Sequence, residues 1–577
     1  MAASPPPDRH RSDRRRRRDR RARWWTAAAA LLIAVSAGAL LARLGERLFA
    51  ARPSLDGANP SDGPVLSAVE GRKANGTPSA GAQRIDGDGG DAPCMPAQLQ
   101  SFDTWQLARI ERAPVETPKK RAWERTLGNP AAIQTALRDR LTGWPATLLA
   151  DRAALPREPA AFARRVARDT WRGLEALSDR EHGLPLDTVR FGNGATALAD
   201  ATIGDYTSTT NIGMHLLGVV AALDLALLDT EQARARIGRT LDTLEGLETD
   251  GGLFFNYYDT TSLERTSHFV SFVDSGWLAA GLIVVRNAFP ELHGRCSGLL
   301  DRMRLAAFYD PAYDLMSHGY FVEPRGPSRY HYGVLYTEAR LAVLIAIGRG
   351  DAPQSVWFSM VRTFPAGCRW QSRRPVGVRE KTIRGHRLVA GYYQWHGSRY
   401  VPSWGGSMFE ALMPALVLDE ARLAPSSLGV NDRVHLRIQR HVARDVGLAV
   451  WGLSPSATPD SELYGEYGVR ILGSLGYPVG PVTPHASALA LDLAPKAALA
   501  NLRRLARRYD VYGDFGFYDA VDARTGQVAY TYLTLDQSMI LLALANHLAD
   551  RSIQKRFAAD PIIQRVLPLL AAENFFE

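Results

Sequence analysis

Val401-Pro-Ser-Trp-Gly-Gly-Ser-Met-Phe-Glu-Ala-Leu-Met-Pro414 is the stretch on which the reading of the fold turns. A tryptophan and two glycines lead into Ser407, and Glu410 follows three residues later. Apolar residues then recur at helical spacing, at Met408, Leu412, Leu416 and Val417. Ser407-x-x-Glu410 has the form of a capping box, in which the serine side chain accepts from the Glu410 amide and the glutamate reaches back to the Ser407 N–H. Capping alone would account for the pattern. The added feature is a carboxylate at a helix start beside Trp404 and Phe409, two apolar faces of the kind on which sugar rings stack.

Five other stretches look alike. They are Tyr206-Thr-Ser-Thr-Thr-Asn-Ile-Gly213, Phe272-Val-Asp-Ser-Gly-Trp277, Tyr332-Gly-Val-Leu-Tyr-Thr-Glu338, Gly480-Pro-Val-Thr-Pro-His-Ala-Ser487 and Tyr532-Leu-Thr-Leu-Asp-Gln537. Each runs from aromatic, glycine or small polar residues into an apolar helical run. They recur about every 50–75 residues, room for an inner helix, an outer helix and their loops. Runs such as Met214-His-Leu-Leu-Gly-Val-Val-Ala-Ala-Leu are apolar on every side and must be buried, whereas Leu502 to Tyr509, with its interleaved arginines, reads as an outer helix. The expected fold is all-α: an (α/α)6 barrel over residues 99–577. Its inner helices begin near 210, 276, 336, 408, 484 and 535 and surround one cleft.

The remainder of the chain reads differently. Its 577 residues suggest roughly two to four domains by length alone, but a single helical toroid accounts for most of them. The formal charge of +9 is concentrated in a basic tail, residues 1–23, so the body gives no reason to expect a nucleic-acid partner. Residues 24–42 carry no charge and are long enough to cross a bilayer as a helix. With arginines before the run, an inner-membrane anchor with a cytoplasmic tail and a periplasmic body is expected. A cleaved signal peptide is the competing reading. Residues 43–98 are rich in Gly, Pro, Ser, Asp and Ala and read as a flexible linker. Cys94, Cys296 and Cys368 allow at most one disulfide and lack metal-ligand spacing. No dinucleotide or phosphate-binding loop is present, so neither a cofactor nor a metal is expected.

A cleft ringed by helix N-termini offers N–H groups and partial positive charge to substrate oxygens. The loops Phe254-Phe-Asn-Tyr-Tyr-Asp-Thr260 and Asp514-Phe-Gly-Phe-Tyr-Asp519 add further aromatics. Candidate substrate contacts are Tyr258, Asp259, Asp274, Trp277, Tyr336, Trp404, Phe409, His485, Phe517, Tyr518, Asp519, Asp536 and Gln537. The aromatics would stack on sugar rings, and the polar groups would bind hydroxyls, cap helices or line the wall.

Thr207 to Gly213, Asn256 to Thr260, Val273 to Gly276, Tyr336 to Arg340, Ser403 to Glu410 and Tyr512 to Asp519 resemble, in that order, a known region. It is the glucoamylase-like region of bacterial cyclic β-1,2-glucan synthases, whose superfamily includes the endo-β-1,2-glucanases. The resemblance covers about residues 160–570 and implies an (α/α)6 fold and glycosidic-bond chemistry on β-glucan. It also implies that Glu338 is the acid/base carboxylate and Glu410 the second catalytic carboxylate. Gly405 and Ala411 stand where the family often has Ser and Tyr, and Ser538-Met539 where Gly-Pro is common. The 577 residues leave no room for a glycosyltransferase module, so synthase activity is not expected.

Glycosidic cleavage needs one carboxyl group to protonate the leaving oxygen and a second to attack or to activate water. The expected activity is glycoside hydrolysis or transglycosylation of β-glucan, most plausibly β-1,2-linked. Two rivals stand beside it: a saccharide-binding scaffold without catalysis, and a polysaccharide lyase, for which no convincing base and uronate-binding set is visible.

Overall fold

Six helices with charge only near their ends form the inner ring of the barrel. They are α1 (Thr209–Asp224), α2 (Phe272–Ala288), α3 (Arg340–Arg349), α4 (Met408–Leu412), α5 (Pro484–Leu489) and α6 (Thr534–Leu548). Nearly all their residues are buried. The computed structural model describes residues 115–144, 154–192 and 201–577, apart from 324, 329, 369 and 460–463. The basic tail, the apolar run 24–42, the linker and Cys94 lie outside these residues. Among the described residues no helix is long and apolar enough to cross a membrane.

The inner helices pack in chain order from α1 to α3 and from α4 to α6, and α6 returns to α1. Glycine permits the closest approaches: a Cβ at Gly213 would lie 2.4 Å from the Trp277 carbonyl oxygen, and one at Gly276 would lie 2.3 Å from Ala342 Cβ. The α3–α4 junction is closed by a charge. Arg340, fully buried, donates to the Glu410 and Ala411 carbonyls at 2.8 and 2.7 Å and to both oxygens of Glu420 at 2.7 Å. A buried guanidinium is tolerated only when its donors are filled in this way.

Outside this ring lie amphipathic helices, including Pro159–Ala176, Thr230–Gly246, His293–Arg302, Leu428–Asp445 and Pro495–Arg508. In Pro495–Arg508 the buried face is Ala498, Leu499, Asn501, Leu502, Leu505 and Ala506, with the arginines outward, as the interleaved charges require. Short strands lead directly into three inner helices: Tyr206–Ser208 into α1, Phe269–Ser271 into α2 and Thr531–Leu533 into α6. Each is held by an antiparallel partner: Tyr257–Asp259, Gly319–Val322 and Thr188–Arg190 respectively.

Two expectations need correction. The fold is mostly helical rather than all-α. Besides those strand pairs it carries an antiparallel sheet of Val376–Ile383, His386–Trp395 and Ser398–Tyr400, inserted just before α4. The helical spacing read from Met408 to Val417 breaks after Leu412, because Pro414 cannot donate an N–H and starts a 3-10 turn instead. The expected starts otherwise hold to within about four residues, an ordinary uncertainty of helix ends.

Candidate functional site

The residues at neighbouring helix starts touch one another, which places those starts at one end of the ring. At α1 and α2, the Thr210 hydroxyl donates to Asp274 Oδ1 at 2.5 Å and the Ser271 hydroxyl to Asp274 Oδ2 at 2.6 Å. Asn211 donates to Asp187 at 2.9 Å. At α5 and α6, His485 Nδ1 lies 3.2 Å from Asp536 Oδ2. Glu338 lies near Asp274 and Glu410, close enough that the charges of both act on it.

The two glutamates occupy opposite environments. Glu338 lies in a turn two residues before α3 and is partly exposed. Desolvation, and then the charge of Glu410, push its carboxyl up to about 7, with Asp274 adding to the effect. Glu410, buried at the start of α4, is surrounded by donors. Its Oε1 accepts from the Trp404 and Gly405 amides, both at 2.9 Å. Its Oε2 accepts from the Ser407 amide at 3.0 Å and the Ser407 hydroxyl at 2.7 Å, with the Ser403 hydroxyl at 3.2 Å. The capping box read from the sequence is therefore present in full. Because the backbone from Trp404 to Ser407 wraps the carboxylate, those N–H groups match its charge where solvent does not reach.

An aromatic wall adjoins this pair. Trp404 packs with Tyr477, Phe364 and Val334, and the Trp370 ring, partly exposed, lies 5.8 Å from that of Trp404. Gly405 explains how Tyr477 fits, since a Cβ there would sit 2.0 Å from the Tyr477 ring. The Tyr477 hydroxyl is raised well above its ordinary value by burial and by the charges of Glu466, Glu410 and Glu338. Neither Tyr477 nor Trp370 was singled out in the sequence; both lie on loops without periodicity.

The other candidates divide. Asp274 belongs to the cleft, and burial raises its carboxyl. His485, Asp519 and Asp536 form a second, buried cluster. Desolvation raises Asp536 to about 7 and, with the charge of Asp536, lifts Asp519 well above the usual carboxylate range. Gln537 pins the adjacent loop by donating to the Phe517 carbonyl at 2.8 Å. Phe409 is half-buried, and its amide donates to the Ser454 hydroxyl at 3.1 Å.

Most of the other aromatics are packing residues. Trp277, Phe517 and Tyr518 are almost wholly buried, and Tyr518 is held between the rings of Tyr530 and Tyr532. Tyr336 is fully buried behind α3, donating to Asp432 with Arg340 over its ring at 4.7 Å. The Tyr258 hydroxyl is occupied by the Glu248 carbonyl and the Phe255 amide. Asp259 accepts from the Thr261 and Ser262 amides and pairs with Lys120 at 3.1 Å. These contacts position loops, and the periodicity of the sequence could not separate them from platforms facing the cleft.

Residues 381–561 match the family described as "Putative glucoamylase", and residues 165–319 match a "Protein of unknown function (DUF3131)" family. The cyclic beta-(1,2)-glucan synthase NdvB of Rhizobium meliloti (strain 1021) is 25% identical over 585 residues, covering 74% of this chain and 19% of that protein. The chain thus spans about a fifth of that relative's length. Among solved structures, a putative glucoamylase from Bacteroides fragilis NCTC 9343 aligns at 17% identity and a TM-score of 0.57, over 73% of this chain and 98% of the other. The endo-beta-1,2-glucanase of Chitinophaga pinensis aligns at 15% and 0.56, over 72% and 99%. The likenesses bear out the glucoamylase-like fold and the resemblance to the cyclic β-1,2-glucan synthases.

Proposed function

We propose that this barrel is a glycoside hydrolase acting on β-glucan, most specifically on the β-1,2 linkage, with Glu338 as the general acid. One observation carries the reading. Glu338 is a partly exposed carboxyl pushed up to about 7 in a cleft where a second glutamate, Glu410, is held by amide and hydroxyl donors. Two carboxyl groups with environments this different divide naturally into a proton donor and an opposing carboxylate. Glu338 protonates the leaving oxygen, and Glu410 faces the developing positive charge of the sugar.

The linkage assignment draws on the relatives. The synthase and the Chitinophaga pinensis enzyme both carry β-1,2-glucan in their names, and the latter was solved as a complex with sophorotriose and glucose. The partly exposed Trp370, beside Trp404, supplies the apolar face that such a chain of sugars would rest on.

A second reading of Glu410 has its own observation. The same donors that match its charge also occupy both its oxygens, as in a purely structural helix cap. Under that reading the opposing carboxylate is Asp274, whose charge also acts on Glu338. Comparing Glu338→Gln, Glu410→Gln and Asp274→Asn for glucan turnover and glucan binding separates the two. Loss of turnover with retained binding is expected for Glu338→Gln under either, and a Glu338→Gln protein of wild-type activity overturns the proposal.

The arginine-rich tail and the uncharged run at 24–42 support a tethered location on the periplasmic side of an inner membrane.

A further inference from the structure

We infer that His485, Asp519 and Asp536 form a binding site for one first-row divalent cation, of the Mn²⁺ or Zn²⁺ type, in the wall beside the cleft. The three residues lie 17 and 34 positions apart, so no local spacing announces the site. The fold assembles it from the start of α5, the start of α6 and the loop after Gly516–Phe517. One ligand atom from each lies within 4.8 Å of the others.

Three features point to a cation rather than to ordinary wall residues. The first is unmet bonding capacity. His485 Nδ1, Asp519 Oδ1 and Asp536 Oδ2, on residues only 1%, 2% and 2% exposed, have no hydrogen-bond partner outside this cluster among the described residues. Buried polar atoms are nearly always satisfied, and three such atoms aimed at one point call for a shared partner. The second is charge. Among the described residues no lysine or arginine forms an ion pair with either aspartate, and Asp536 is paired with His485 alone. One imidazole with two carboxylates is a donor set that a divalent ion completes.

The third is geometry. A metal bound at ~2.1 Å by nitrogen and oxygen holds neighbouring ligand atoms roughly 3.0–3.4 Å apart. The His485 Nδ1 to Asp536 Oδ2 distance is 3.2 Å. The remaining atoms are already oriented by outer partners. Asp519 Oδ2 accepts from the Ala457 amide at 2.6 Å, and the Thr483 hydroxyl lies 3.4 Å from His485 Nε2. Such partners fix the direction of metal ligands in known sites. An imidazole among the ligands favours Mn²⁺ or Zn²⁺ over the harder Mg²⁺ and Ca²⁺. The rival occupant is a proton shared between the two aspartates, with the imidazole set against Asp536 at 3.2 Å.

The test uses the full chain, stripped with a chelator and dialysed against MnCl₂ or ZnCl₂, with bound metal counted by elemental analysis and affinity taken from calorimetry. One equivalent per chain and a saturable rise in Tm are expected, undiminished by equimolar Mg²⁺. Asp536→Asn and His485→Gln should each weaken binding by at least ~100-fold, beyond what loss of an outer partner alone would give. Absence of stoichiometric metal on the stripped wild-type chain overturns the site and favours the shared proton, whatever the variants do. Equal affinity in wild type and both folded variants, or preference for Mg²⁺ or Ca²⁺, also overturns it. Metal binding is measured without glucan, so this outcome is independent of the proposed hydrolysis.

Discussion

Replacing Glu410 with glutamine tests whether the loop before α4 is built around that carboxylate. The side chain accepts from three backbone amides, those of Trp404, Gly405 and Ser407, and from the Ser407 and Ser403 hydroxyls. A glutamine of the same shape has one carbonyl oxygen and one NH₂. Its oxygen can retain the Trp404 and Gly405 donors, but the NH₂ then faces the Ser407 amide, donor against donor. One buried N–H is orphaned, at about 1–3 kcal/mol, and two hydrogen bonds to a charged acceptor weaken. That N–H is the glutamate half of the capping box, and the serine half, from the Glu410 amide to the Ser407 hydroxyl, remains. A loss of ~3 kcal/mol is therefore expected. With an unfolding entropy of about 2.1 cal/mol/K per residue over a barrel of roughly 480 residues, this lowers Tm by about 3 °C. Differential scanning calorimetry and urea denaturation followed by circular dichroism read the change. A Glu410→Gln protein whose Tm and urea midpoint match wild type would refute the claim that these amides depend on the carboxylate. If Glu410 also opposes Glu338 in catalysis, turnover falls by ~10²–10⁴-fold while the variant remains folded at assay temperature.

Three other outcomes follow from the same geometry. Glu338 has its folded-state pKa raised to about 7 from an ordinary 4.5, so the stability contributed by its protonated form is complete below about 4.5 and is lost as pH rises through 7. Its activity as a general acid falls over the same upper limb, and a kcat profile without a decline near neutral pH would contradict the assignment. Gly405→Ser should displace the Tyr477 ring, which lies 2.0 Å from the position of the new Cβ. A cost of about 1–3 kcal/mol in Tm and urea midpoint is expected, and an unchanged crystal position for Tyr477 would show the contact to be wrong. If residues 24–42 act as an uncleaved anchor, the protein fractionates with membranes and keeps its arginine-rich tail; a mature N-terminus near residue 50 would contradict this.

The ring of inner helices was legible because burial on every side leaves a mark that survives without tertiary information: long uncharged runs, each preceded by a polar or aromatic loop. Ser407 and Glu410 were legible for the same local reason, since a capping box is a contact at fixed spacing. The sheet Val376–Ile383/His386–Trp395 also left a signal that the helical reading passed over. Its strands, rich in Val, Thr, Ile and Tyr, flank Arg384-Gly385, both with positive φ, the pattern of a tight hairpin turn. Arg340, Tyr477 and Trp370 could not be read. Arg340 meets Glu420 across 80 positions, and Tyr477 meets Gly405 across a loop of no regular period. Tyr258, Asp259 and Tyr336 had the composition expected of cleft residues, but their partners, Glu248, Lys120 and Asp432, are supplied by the packed fold. The cluster of His485, Asp519 and Asp536 shows the same limit, because three ligands on three elements form no motif.

The most direct measurement is product analysis of the purified full chain incubated separately with β-1,2-, β-1,3-, β-1,4- and β-1,6-linked glucans, with Glu338→Gln run beside it. The account predicts β-1,2-linked oligosaccharides from the first substrate, little or nothing from the others, and a loss of ~10²–10⁴-fold in the variant while it still binds the glucan. Equal rates from wild type and Glu338→Gln, or no product from any glucan despite tight binding, would contradict it and identify the barrel as a saccharide-binding scaffold.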